Sequence, residues 1–223
     1  VFISEEGYKH AQRLWGKEHE AYAEQIKALY VEHGMPQELT DQIVPHMNSF
    51  VAKVSPHPKV TYMEAGGEIV LGDQPYHLLH TPGHALGHLC FYQAESQIIF
   101  CGDQVLPQIS PNVSYLPGSD ANPLASFLAS LQELADLPVK QAYPGHREPF
   151  TAFGKRVQEL LEHHAERLSF VLGQLTQPST AYEICRAMFG DKLSVHQLRF
   201  AMSETLAHLV YLVCEGSATQ EQR

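Results

Sequence analysis

Long apolar runs are missing from this 223-residue chain. No stretch approaches the ~20 consecutive apolar residues that a helix needs to cross a bilayer. The opening Val1-Phe-Ile3 is far too short for the apolar core of a signal peptide. Positive charge is also scarce: 15 Lys and Arg stand against 25 Asp and Glu, a formal net charge of −10 with a pI near 5.7. That balance works against tight non-specific binding to nucleic acid or to an anionic membrane surface. Cysteine is sparse, and its four copies, Cys90, Cys101, Cys185 and Cys214, form no C-x-x-C pair. They read as reduced, mostly buried thiols and point to a cytoplasmic setting rather than a disulfide framework.

What is present is a 44% apolar content, enough for a sizeable core in one large domain with a smaller appendage. Ser4 can cap a helix whose first turn carries Glu5 and Glu6. Two amphipathic helices follow, one lined by Tyr22, Ile26, Leu29 and Tyr30, the other by Ile43, Met47, Phe50, Val51 and Val54. Short β-branched or aromatic runs then predict strands at 60–63, 68–71, 76–81, 88–93 and 97–101, punctuated by Gly66-Gly67, Gly72-Asp73 and Ala94-Glu-Ser96. A helix over 122–137 buries Leu124, Phe127, Leu128, Leu131 and Leu134, and a strand over 139–143 follows it. Beyond Pro149 the chain is all helical. The spacing predicts a long helix over 154–175 with Val157, Leu160, Leu161, Leu168, Val171 and Leu172 inside. Capping boxes at Thr180/Glu183 and Ser194/Gln197 open two more helices. The fold class is α/β with an all-helical end.

Histidine is plentiful at 14 copies, but a scattered histidine is ordinarily a surface or satisfied core residue. His77 and His80 read so, as strand positions alternating with Tyr76 and Leu78. The adjacent pair His163-His164 on a helix points about 100° apart, cannot chelate together, and reads as surface. Three segments differ: Thr81-Pro-Gly-His-Ala-Leu-Gly-His88, Phe100-Cys-Gly-Asp103 and Tyr143-Pro-Gly-His146. Each puts a metal-competent side chain at the end of a predicted strand. One His, a carboxylate and a second His describe a borderline-metal site on a β scaffold, whereas any one motif alone would be only a polar turn. Cys101, two residues before Asp103, reads as a small buried residue beneath that site.

These motifs in this order resemble the third, fourth and fifth metal motifs of the metallo-β-lactamase fold superfamily, and Asp103 to Asn112 resembles its subgroup with a C-terminal helix-turn-helix extension. The resemblance runs from about Glu68 to the C-terminus. It implies a partial αββα sandwich over 1–153, with a helical insertion at about 13–55, and a winged-helix-like domain over 154–223. It also implies that His84 binds one metal, His146 a second, and Asp103 bridges both, with His88 in support. The implied cofactors are two divalent ions, zinc expected, whose shared water attacks a carbonyl or phosphorus. The family's H-x-H-x-D-H motif, which supplies the other ligands, does not occur in the sequence. The expectation is therefore of a chain truncated ahead of Val1 that binds metal weakly and has little hydrolase activity of its own.

The activity implied is hydrolysis of a thioester or ester by a small-molecule enzyme. An endoribonuclease or phosphodiesterase of the same superfamily is the alternative, and a non-catalytic helix-turn-helix module a third reading. Residues 175–223 carry four Lys or Arg (Arg186, Lys192, Arg199, Arg223) against five acids, a balance that argues against nucleic acid without deciding between the readings. The helical insertion is expected as core or as a lid over an apolar substrate. An unpaired sheet edge makes a second copy of the chain a further expected partner.

Overall fold

A computed structural model describes residues 1–221 as a mixed α/β fold with two compact units. The first comprises residues 1–8, 60–113 and 123–166; the second comprises 9–59, 114–122 and the chain from 167 onward.

In the first unit, β1 (Phe2–Ser4) pairs in parallel with β2 (Thr61–Met63). Ser4 caps α1 (Glu5–Trp15): the Gly7 N–H donates to Ser4 Oγ at 3.0 Å, and the hydroxyl donates to the Gly87 carbonyl at 2.5 Å. The main sheet runs in chain order, β3 (Glu68–Leu71), β4 (Gln74–His80), β5 (Leu89–Gln93), β6 (Ile98–Gly102) and β7 (Gln141–Pro144). Pairing is antiparallel up to β6 and parallel between β6 and β7. Parallel pairing demands a long crossover, which here contains α5 (Pro123–Ala135). Gly72 and Asp73 both have positive φ, as a two-residue hairpin turn needs.

Alternation sorts the sheet into two faces. Cys90, Ile99, Cys101 and Ala142 point to a fully buried face, and α5 contributes Leu124, Phe127 and Leu131, equally buried. On the other face the register aligns Phe91, Phe100 and Tyr143. Tyr76, Phe100 and Tyr143 form a row there, with ring centroids 5.6 and 5.1 Å apart, yet Phe100 and Tyr143 stay 37% and 36% exposed.

The second unit holds α2 (His19–Glu32), α3 (Gln37–Thr40), α4 (Ile43–Val51), α7 (Ala181–Phe189) and α8 (Val195–Cys214). Tyr22, Ile26, Tyr30, Ile43 and Met47 share one core with Cys185, Met202 and Leu206. The Tyr30 hydroxyl donates to the Arg199 carbonyl at 2.8 Å. Both capping boxes form, at Thr180/Glu183 and Ser194/Gln197. The helix α6 (Phe153–Gln174) begins in the first unit and ends in the second.

Several details depart from the sequence reading. The compact units do not divide at 153/154, because the stripe on α2 and α4 is buried against α7 and α8, so the helices expected as an insertion in the first domain share the C-terminal core. The C-terminal region is helical, and among the described residues no strand follows Gly216, in keeping with the lack of any strand pattern there in the sequence. His164 is not a surface residue: it is fully buried, with its ring 5.3 Å from that of Phe127 in edge-to-face contact. Val54 and Leu172, expected inside, are 41% and 39% exposed. Among the described residues no helix is long and apolar enough to cross a membrane.

Candidate metal centre

The loop leaving β4 sets His84. Ser130 on α5 donates to the Pro82 carbonyl at 2.9 Å, tying the loop to that helix. Gly83 then passes so close that a Cβ there would overlap the backbone of Phe127, and its φ of +126° suits only glycine. The imidazole Nδ1 of His84 lies 2.8 Å from the Asn112 carbonyl. A carbonyl only accepts, so Nδ1 carries a proton, and Nε2 is the nitrogen left to offer a lone pair to a metal. That Nε2 lies 3.6 Å from Asp103 Oδ2.

Asp103 follows β6, where the β6–β7 register shifts between Phe100 and Gly102. The Gln104 N–H donates to the Cys101 carbonyl at 3.0 Å, turning the chain directly after the carboxylate. Beneath it Cys101 is fully buried, and burial pushes its thiol far above the ordinary range. The end of β7 approaches from the side: the Gly145 N–H donates to the Gly102 carbonyl at 2.8 Å, and any Cβ on Gly145 would strike Asp103 Oδ1. The next residue, His146, brings Nε2 to 3.3 Å from Asp103 Oδ2. Side-chain exposure is 29% for His84, 27% for Asp103 and 66% for His146.

His88 braces the two loops. Its Nδ1 lies 2.7 Å from Thr81 Oγ1, and its Nε2 occupies the space a Cβ on Gly102 would need. Burial first, then the neighbouring His84, pushes its pKa down to about 4, against a smaller upward pull from Asp103. His88 is thus a neutral strut at pH 7.

The three residues read from the sequence therefore meet at one carboxylate oxygen. They do not yet enclose a common centre, and no group of three or more His, Cys, Asp or Glu side chains among the described residues does so. The donor set nevertheless fits a divalent ion. Asp103 Oδ1 is buried with no hydrogen-bond partner, and a buried carboxylate oxygen is costly unless a cation or donor meets it. Gln104, fully buried beside it, has both side-chain polar atoms unpartnered as well. Sequence reasoning missed Gln104 and the Asn112 carbonyl. It also passed over one visible signal: glycine stands directly before His84, Asp103 and His146, where a neighbouring group leaves no room for a Cβ.

Residues 6–146 match the model of the metallo-beta-lactamase superfamily, and residues 168–223 match that of the metallo-beta-lactamase-like C-terminal domain. The chain belongs to the metallo-β-lactamase superfamily. It is 36% identical to the metallo-beta-lactamase family protein TTHA1429 of Thermus thermophilus, whose crystal structure superposes with a TM-score of 0.83 over 99% of this chain and 68% of that one. A beta-lactamase domain protein of Burkholderia ambifaria is 27% identical, with a TM-score of 0.85 over 99% and 62% of the two chains. Among curated proteins, the probable metallo-hydrolase YqjP of Bacillus subtilis (strain 168) is 29% identical over 66% of this chain and 48% of its own length. The atrochrysone carboxyl ACP thioesterase MYCFIDRAFT_190111 of Pseudocercospora fijiensis (strain CIRAD86) is 26% identical over 66% and 42%. The chain thus spans about half the length of these curated relatives.

Proposed function

We propose that His84, Asp103 and His146 are metal ligands of a hydrolase that cleaves a thioester or ester. The observation that carries this reading is the approach of His84 Nε2 and His146 Nε2 to one oxygen of Asp103, whose other oxygen is buried and unpartnered. Two imidazoles and a shared carboxylate suit zinc or a similar divalent ion. Such an ion, when bound, lowers the pKa of water to about 7 and polarises a carbonyl oxygen. The chain's own work is positional. The Asn112 carbonyl holds the His84 proton on Nδ1, the Gly145 backbone crowds Asp103, and His88 stays uncharged between the loops.

The thioesterase name of one relative supports the substrate class. Arg199, a basic residue on α8, is 8% exposed, which supports a small molecule over nucleic acid. With one imidazole for each ion and a shared carboxylate, this chain binds zinc weakly, and stoichiometric zinc in purified material would contradict that. Turnover of a thioester panel with added zinc, beside a single-stranded RNA, tests the activity. Only slow zinc-dependent thioester cleavage is expected of this chain, and it should disappear in Asp103→Asn. RNA cleavage without thioester turnover would overturn the reading.

A further inference from the structure

The segment from Asp103 to Asn112 begins at the shared carboxylate and ends at the carbonyl that orients His84. Its two ends are therefore both parts of the candidate centre, and anything that fixes the segment fixes two of the three ligands. The ends are buried at Gln104, Val105, Leu106 and Pro111, but the tip is not: Gln108 is exposed and Ile109 is 43% exposed. The tip borders an open groove of about 560 Å³, so apolar packing does little to restrain it.

Arg156, on the first turns of α6, supplies that restraint. Its Nε donates to the Leu106 carbonyl at 2.6 Å and its Nη2 to the Ile109 carbonyl at 3.1 Å, one ahead of the tip and one within it. Its Nη1 donates to Glu159 at 3.0 Å, which steadies the guanidinium and holds the Glu159 carboxyl below the usual range. Only a planar guanidinium offers three N–H directions at fixed angles from one side chain. Arg156 also lies only ten residues after His146, so it ties the segment carrying the third ligand to the loop carrying the other two positions.

We propose that Arg156 is a positioning residue of the metal centre, acting through the 103–112 loop on Asp103 and on the proton of His84. This rests on the metal-ligand reading above, and the two can be separated. In the metal-free, nitrogen-15-labelled chain, imidazole shifts report which ring nitrogen of His84 is protonated. Arg156→Met is expected to turn a single Nδ1–H tautomer into a mixture, and to weaken zinc binding about 10- to 100-fold in competition with a chromophoric chelator. Glu159→Gln removes the ion pair but spares both carbonyl bonds, and keeps the wild-type tautomer; a shift as large as that of Arg156→Met would refute the role given to those bonds. If Arg156→Met lowers only the melting temperature, with tautomer and zinc affinity unchanged, Arg156 is merely structural and the proposal fails. If the tautomer shifts but the wild-type chain takes up no zinc, the metal reading fails and the positioning stands. Should Arg156→Met not fold, Arg156→Lys decides: an ammonium that reaches one carbonyl leaves the ring mixed, and an unchanged ring overturns the proposal.

Discussion

Replacing Gly83 by alanine tests whether backbone contact, rather than side-chain packing, aims His84. Two costs are expected. A Cβ at a φ of +126° puts an L-residue in left-handed space, worth about 1–2 kcal/mol. The same Cβ would overlap the Cα, Cβ and N of Phe127, and forcing atoms into a packed site costs about 1–3 kcal/mol more. Gly66→Ala separates the two, because Gly66 also has positive φ, +77°, but has nothing within 4 Å of where a Cβ would stand. Urea unfolding should therefore show a loss of about 2–5 kcal/mol for Gly83→Ala against about 1–2 kcal/mol for Gly66→Ala. Any relief of the overlap has to move the loop away from α5, so zinc affinity should fall in Gly83→Ala and hold in Gly66→Ala. Equal losses in the two variants would refute the reasoning.

Other outcomes follow from the same geometry. His88 has its pKa pushed down to about 4 from 6.5, so the metal-free chain keeps the full benefit of its burial above pH 6.5 and loses it as pH falls toward 4. The loss totals about 3 kcal/mol, and His88→Asn should flatten that limb of a urea-midpoint profile between pH 7 and 4.5; parallel profiles would count against a buried neutral ring. Of the four thiols only Cys214 is exposed, and burial pushes Cys90 up to about 12 and Cys185 up to about 11. An aromatic disulfide reagent should titrate one thiol in the native chain and four in denaturant, and two fast thiols would contradict the core described here. Ser194→Ala removes the cap of α8 and should cost about 1 kcal/mol in thermal unfolding, an expectation that fails if the melting temperature does not move.

Much of this was legible in the residues, because the signals are local. Strand spans read from β-branched runs fall within two residues of β2 to β7, and both capping boxes form where Ser/Thr and Glu/Gln stand three apart. The three strand-end motifs led to three side chains that meet. Polarity misled elsewhere. His164 lies four residues after Leu160 and seven before Val171, on the same buried stripe of α6, and its spacing was a better guide than its chemistry. Arg199, Ser203, Glu204, Thr205 and His208 are buried on α8 for reasons that no periodicity reveals: Ser203 lies 3.0 Å from Ser114 and Glu204 pairs with Arg167, while Thr205 and His208 turn back onto the helix's own Ala201 and Glu204 carbonyls. The role of Arg156 was invisible because its bonds to the loop go to main-chain carbonyls, which leave no trace in side-chain identity.

The path of the chain between its two units has a practical consequence for anyone wishing to study them apart. The polypeptide changes unit after Tyr8, before Val60, after Val113, before Pro123 and after Glu166. No single scission yields two self-sufficient pieces: a fragment opening at 154 would leave behind Tyr22, Ile26, Tyr30, Ile43 and Met47, with which Met202 and Leu206 are packed. Such a fragment should lose its cooperative melt and recover it only when a peptide spanning residues 9–59 is added in trans.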